Sequence, residues 1–404
     1  MARKKIGIWL IGARGGVATT AIVGLAALRR GLVGRQGLVS QLPRFQGLGL
    51  ADWKEFVVGG HEIRSGSLVD EATQLCRVSN AMDDRLLTRC KADLLRCDGH
   101  IRPGTLLNVG PVIERLAAPD LKRKREAPRA ALERLQQDLR TFVDDRRLSD
   151  LVVVNVASTE PTGNGQAWPQ RWRDLNRLID KRRGCPLPAS SLYAVAALDL
   201  GYPYINFTPS LGSAPAAIRE LALERGTCHM GHDGKTGETL LKSVLAPMFA
   251  LRNLQVMSWV GQNIFGNRDA VVLNVPDNKQ AKVASKGQLL HEILGYRPQT
   301  MVGIEYIESM GDWKTAWDHI HFRGFLGTPM TMQFIWQGCD SLLAAPLVLD
   351  LVRLTQRAHA AGETGLLTFL ASFFKSPLGV TEHDFGRQFL MLEEWADRVT
   401  AGVS

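Results

Sequence analysis

Residues 6–28 read IGIWLIGARGGVATTAIVGLAAL. The first six letters are a short apolar strand, residues 12–20 are a glycine-rich turn, and residues 21–28 are a helix. Strand, glycine turn and helix in that order are the context of a dinucleotide site. Glycines let the backbone approach a pyrophosphate, and the free N–H groups at the helix start bind it. The spacing departs from G-x-G-x-x-G, so the turn alone is a weak signal. Preceded by MARKK, the same letters imitate a secretory signal. However, Arg14 interrupts the apolar run, and glycines sit where such a segment is most hydrophobic. A buried parallel strand explains them, and a cytoplasmic protein is expected.

Further along the chain, residues 31–51 are rich in Gly and Gln and read as a loop insertion. Residues 56–63 form a second strand that ends near the acidic Glu62. Residues 66–125 are largely helical and charged. Residues 128–143 place Leu132, Leu135, Leu139 and Phe142 at core spacing on a helix. Residues 151–155 form a buried strand. Ala157, Ser158, Thr159 and Glu160 follow at its C-terminal end, where open α/β sheets place ligands. A helix opens near residue 188, with Ser190 or Ser191 as its cap. Residues 204–209 make the next strand and turn, which carries Thr208. The run Cys228-His229-Met-Gly-His232-Asp233 holds zinc-type ligands but no second cluster, and is read as a polar turn without metal.

From residue 254 the pattern changes. Strands at 256–260, 301–307, 319–323 and 330–336 follow one another with one clear helix between the first two. Such succession predicts a mainly antiparallel sheet and a second domain. His319 and His321 share one face of their strand, as at a solvated or subunit-facing edge. Within 266–314, Leu289, Leu290, Ile293 and Leu294 form the apolar stripe of a helix, and stepping back along it gives Lys286 and Lys282. An unpaired buried charge is expensive. Lysines on an inward face, together with Lys314 beside Asp312, therefore point to an anionic pocket. Asp340-Ser341 should cap a buried helix from 342 to 355, and Lys375 ends a hydrophobic segment as a third inward-looking lysine site.

At 404 residues the chain should hold two domains. Its net charge of +9 could suit nucleic acid, but no aromatic-basic interleaving or finger motif accompanies it. A small anionic substrate is the better use of the excess, with no nucleic-acid or membrane partner. The six cysteines show no paired CxxC spacing, as in a reducing compartment.

The chain resembles the myo-inositol-1-phosphate synthase family, also called inositol-3-phosphate synthase. The matching pieces are Gly266-Asn267-x-Asp269, Lys282-x-x-x-Lys286, Gly311-Asp312-x-Lys314 and the run from Cys339 to Pro346. Pro203 to Asn206 and Lys375 to Leu378 match as well, and 234–239 is like the family's K-S-G-Q-T. Similarity is clear from about 151 to 378 and thin before that. In the glycine loop Gly12, Gly15, Thr19 and Thr20 match, while Arg14, Gly16, Val17 and Ala18 depart. Arg14 could either contact phosphate or block the turn.

The resemblance implies a Rossmann-type NAD-binding α/β domain from 1–211 and 337–404, with an inserted α+β catalytic and oligomerisation domain at 212–336. It implies a homotetramer and conversion of glucose 6-phosphate to 1D-myo-inositol 3-phosphate with NAD regenerated. In that chemistry C5 is oxidised, a proton leaves C6, an intramolecular aldol step closes the ring, and the ketone is reduced. Carried over motif by motif, Lys282, Lys286, Lys314 and Lys375 are substrate and catalytic lysines, one of them a base with a lowered pKa. Asp312 and Asp340 orient them or relay protons. Asn263, Asn267 and Asp269 line the substrate pocket. Gly12, Gly15, Gly16, Thr19, Thr20, Glu62, Ala157, Ser158, Thr159, Thr208 and Asp340 hold the cofactor. The Glu62 carboxylate, where the family has Asp, should favour NAD over NADP. The residues leave open whether ammonium or a divalent cation assists. Two other functions also stay open, an NAD-dependent dehydrogenase or cyclase of another sugar phosphate and a non-catalytic NAD-binding regulator.

Overall fold

The computed structural model describes residues 4–80, 82–124, 126–161, 168–181, 184–266 and 289–402. Asn267, Asp269, Lys282 and Lys286 lie outside the described residues. Eleven strands are described, β1 Ile6–Ile11, β2 Phe56–Glu62, β3 Ile101–Pro103, β4 Asp150–Asn155, β5 Tyr204–Asn206, β6 Cys228–Gly231, β7 Gln255–Phe265, β8 Gln299–Tyr306, β9 Trp313–Arg323, β10 Pro329–Cys339 and β11 Gly365–Leu366. They form two sheets.

The larger sheet has the order β11-β6-β5-β4-β1-β2-β3, with every pairing parallel. Parallel sheets need both faces covered, and β1 is accordingly buried along its whole length. Alternation along the strands feeds two cores. Ile8, Leu10, Val152 and Val154 point to one side, where the helices Gly16–Arg29, Asp340–Ala360 and Phe385–Ala401 pack. Trp9, Ile11, Leu151 and Val153 point to the other, against Pro128–Arg146 and Ala189–Asp199. Each buried aliphatic side chain contributes about 1.5–3 kcal/mol, so the period-two pattern fixes the register.

The expected boundary after residue 211 falls inside this sheet, because β6, which follows it, belongs to the sheet. The run 228–233, expected as a polar turn, begins with the buried strand β6. Cys228 and Met230 enter the core, and His229 is tolerated there because its Nδ1 meets Ser213 Oγ at 2.8 Å. Burial holds that imidazole neutral, with its pKa lowered to about 3. Among the described residues, no group of three or more His, Cys, Asp or Glu could hold a metal.

The smaller sheet has the order β10-β9-β7-β8. β7 and β8 are parallel, with the helical segment containing Leu289 and Leu290 between them, and the other pairs are antiparallel. One face is sealed by the helix Glu238–Leu251, whose Ala246 and Phe249 pack on Trp259, Ile320 and Phe322. The opposite face remains open, with Trp317 and Ile335 paired across β9 and β10 at 36% and 71% exposure. The insertion at 31–51 is pinned rather than slack. Asp350 accepts from the Val39 and Ser40 N–H groups, and Arg353 donates to Ser40 Oγ and the Ala51 carbonyl while lying over Trp53. No helix among the described residues is long and apolar enough to cross a membrane.

Candidate functional site

The site starts where β1 ends. Gly12 has φ +81°, and a Cβ there would sit 2.7 Å from Ala157 Cα, so only glycine lets this turn press against the exit of β4. The Gly12 and Ala13 N–H groups donate to the His61 carbonyl. Gly15 caps the first helix without a side-chain acceptor, which leaves its first N–H groups free for an anion. A Cβ on Gly16 would stand 2.7 Å from Ser341 Oγ. The turn is a cradle that side chains would fill.

Arg14 does not block this turn. Its guanidinium is held by Asp98 at 2.8–2.9 Å, and its N–H donates to Glu62 Oε2 at 2.8 Å. The buried Glu62 carboxylate also accepts from the Ile63 and Arg64 N–H groups, with the Arg64 guanidinium beside it. Glu62 therefore fastens the end of β2 to the glycine turn while facing the same cavity.

That cavity, of about 380 Å³, is lined by Gly12, Gly15, Gly16 and Glu62 at one end and by Ala157, Ser158, Thr159 and Thr208 at the strand ends. Asp312, Lys314, Asp340 and Lys375 line it as well. Thr19 and Thr20 are not on its wall. Both are buried in the first helix, and the Thr19 N–H serves the helix by donating to the Gly15 carbonyl. A second cavity, of about 420 Å³, adjoins the first. Asp233, Thr236, Phe265, Lys314 and Lys375 line both, and Asn263 and Glu238 line only the second. Molecules held in the two would meet at the two lysines.

Lys375 is tied to Asp233 twice. Its Nζ donates to Oδ1 at 2.8 Å, and its N–H donates to the Asp233 carbonyl at 2.7 Å. Burial pulls the ammonium pKa down, but Asp233, with Asp340 and Glu238 beyond it, outweighs burial and raises the pKa above the ordinary value. Lys375 is thus not the lysine of lowered pKa that the sequence led us to expect. Among the described residues, the lysine that burial does lower, to about 8, is Lys235, but it donates to Gln388 and lines neither cavity. Lys314 lies with its Nζ 5.4 Å from the Phe265 ring centroid.

Asp312 has a positioning task. Its Oδ2 accepts from the Ser341 N–H at 3.0 Å and Cys339 Sγ at 2.9 Å, and its carbonyl accepts from the Asp340 N–H. The helix Asp340–Ala360 is thus capped by Asp312 and not by Asp340 or Ser341, since no side chain at its own start caps it. Burial raises the Asp312 pKa. Similarly, Ser190 and Ser191 lie inside their helix, whose N-cap is Pro188. Ser190 donates to Glu160 from both Oγ and N. Glu160 lines the first cavity, and burial pushes its pKa up to about 7.

Sequence reasoning named neither Glu160 nor Asp233 as a site residue. The sequence does place Glu160 at the exit of β4, where ligands bind, but its neighbours alone were assigned to the cofactor. Nothing near Asp233 in the sequence announces Lys375.

Residues 6–397 match the profile of the family described as myo-inositol-1-phosphate synthase. The inositol-3-phosphate synthase 1 of Bacteroides thetaiotaomicron is 32% identical over 415 aligned positions, covering 96% of this chain and 92% of that protein. A solved inositol-3-phosphate synthase from Caenorhabditis elegans superposes with a TM-score of 0.84 at 21% identity, covering 98% of this chain and 86% of that one. A myo-inositol-1-phosphate synthase-related protein from Thermotoga maritima gives 0.79 at 23% identity, covering 97% and 98%. These two structures speak for the fold.

Proposed function

Because the chain belongs to the myo-inositol-1-phosphate synthase family, we propose that it converts glucose 6-phosphate to 1D-myo-inositol 3-phosphate in a redox-neutral, NAD-dependent ring closure. One observation carries this reading. Lys314 and Lys375 stand in the shared wall of two adjoining cavities, one built on a glycine turn and the other on polar side chains.

The residues fit NAD. Gly12 and Gly16 leave the space that a pyrophosphate needs, and the uncapped helix start supplies N–H donors. Glu62 stands at the ribose end, where a carboxylate disfavours a 2′-phosphate. NAD, when bound, supplies a hydride acceptor that later returns the hydride. The second cavity takes the sugar phosphate, with Asn263, Asn267 and Asp269 as contacts. Lys282, Lys286, Lys314 and Lys375 supply fixed positive charge for the phosphate and the enolate. Asp233 keeps Lys375 protonated, so Lys375 binds an oxyanion or donates a proton rather than acting as the resting base. Asp312 holds the Asp340–Ala360 helix so that Asp340 faces the first cavity.

The open face of the smaller sheet suits a second copy of the chain, and a homotetramer is the assembly proposed. All six cysteines are free thiols, in keeping with a cytoplasmic location.

The test is incubation with glucose 6-phosphate and NAD⁺, with the product identified by mass and NMR. An inositol phosphate of unchanged mass without net NADH is expected. Accumulating NADH, or unchanged sugar, would overturn the reading. Omitting ammonium or divalent cations in turn shows whether either assists.

A further inference from the structure

Between the helix Glu238–Leu251 and β7 runs a hydrogen-bond relay with a fixed direction. Lys242 Nζ donates to Glu238 Oε1 at 2.5 Å, and both side chains are 2% exposed. Asn263 Nδ2 donates to Glu238 Oε2, also at 2.5 Å. Gly261 makes room for this, because a Cβ there would come within 2.6 Å of Glu238 Oε1. The neighbouring acid Asp318 accepts from the Trp259 indole at 2.7 Å. The Lys242 ammonium pairs with the Glu238 carboxylate.

An ammonium group only donates, and a carboxylate only accepts. The NH₂ of Asn263 must therefore turn toward Glu238, which leaves its Oδ1 as the free end. Asn263 is 1% exposed and lines the second cavity, and its Oδ1 has no hydrogen-bond partner among the described residues. Buried polar atoms are rarely left unpaired, and this one requires a donor.

We propose that Glu238 is a positioning residue that fixes Asn263 as a hydrogen-bond acceptor, so that the second cavity selects a ligand hydroxyl that donates to it. This rests on that cavity being the sugar-phosphate site. A neutral amide at position 238 would invert the relay. Lys242 would hold the amide oxygen, the amide NH₂ would face Asn263, and Asn263 would flip to present its own NH₂ to the ligand.

Glu238→Gln keeps the shape and is the residue of the family's K-S-G-Q-T motif, so the fold should survive. The first readout is KM and kcat for glucose 6-phosphate and for its deoxy and deoxyfluoro analogues at each ring hydroxyl in turn. Fluorine can accept weakly but cannot donate. At one position the wild-type protein should reject both analogues alike, by about 10–100-fold in kcat/KM. In E238Q the KM for glucose 6-phosphate should rise, and the rejection of that fluoro analogue should shrink about tenfold or more, measured at a temperature where both proteins remain folded. The same analogue pattern in both proteins would overturn the inference.

A second readout needs no substrate. In protein labelled with ¹⁵N-asparagine, with the signal assigned by its loss in N263D, the Asn263 side-chain NH₂ should exchange slowly in the wild type and faster in E238Q. Rapid exchange in the wild type overturns the inference whatever the fate of E238Q. Slow exchange in a protein that forms no inositol phosphate would overturn the proposed function and leave the relay standing.

Discussion

Lys375 and Glu160 illustrate how burial and partners decide what a charged side chain does. Lys375→Ala should lower turnover by about 10²- to 10⁴-fold, the usual loss on removing one preorganised charge or proton donor. NAD affinity should barely change, which cofactor titration beside a turnover assay will check. Near-normal turnover would reduce the lysine to a surface group. Glu160 makes a prediction about pH. Burial raises its carboxyl from an ordinary 4.5 to about 7 in the folded chain, against the hydrogen bonds from Ser190. The folded state therefore keeps a proton that the unfolded state releases above about 4.5. Stability from this group is lost as pH rises from about 4.5 to about 7, by about 3 kcal/mol, and is flat above that. Glu160→Gln should remove this slope, so denaturation midpoints at about pH 5 and about pH 8 should lie closer together than in the wild type. An unchanged difference would place the Glu160 pKa near its ordinary value. Lys314 was legible because it stands beside Asp312 in one local block, and both line the first cavity, whereas Lys282 and Lys286 lie outside the described residues. The Asp233–Lys375 pair spans 142 positions, and no local pattern encodes a partner that distant.

Elements formed largely where their periodicity placed them. β1 and β4 are apolar runs, and Pro128–Arg146 follows its Leu132, Leu135, Leu139 and Phe142 stripe. Their ends were less legible. An acid and a serine before an apolar run look like a self-sufficient helix start, yet the acceptor that caps Asp340–Ala360 comes from Asp312, 29 residues before Ser341. Asp312→Ala should thus lower stability by about 1–2 kcal/mol, the usual cost of a lost cap. The urea midpoint should fall with an unchanged slope. Asp312→Asn, which keeps a carbonyl oxygen, should lose less. Equal stability of all three proteins would show that the helix start needs no such acceptor. β6 was missed for a related reason. Four residues containing a histidine carry too little apolar signal, and the burial of His229 depends on Ser213 from another segment.

At the scale of the whole molecule, two sheets were legible from the change in pattern near residue 254. The seam between them was not, because β6 is too short to register alone. The open face of the smaller sheet yields the last prediction. Ile335→Asp changes an exposed side chain, and in a lone monomer such a change costs within roughly 0.5 kcal/mol. If that face joins copies of the chain, the mass measured by light scattering should fall from a tetramer toward a smaller species at micromolar concentration. An unchanged mass would move the interface elsewhere. The pairing of β11 with β6 also has a consequence for biosynthesis. Gly365 meets Cys228 across the sheet, and the following turn delivers Lys375 to Asp233. A ribosome adds about 5–20 residues per second. For several seconds the nascent chain therefore presents β6 as an unprotected margin with half of its charge pair missing. The stretch from Gly365 to Lys375 closes this side of the sheet and the reaction chamber together, so a nascent chain halted before it would be unfinished in both.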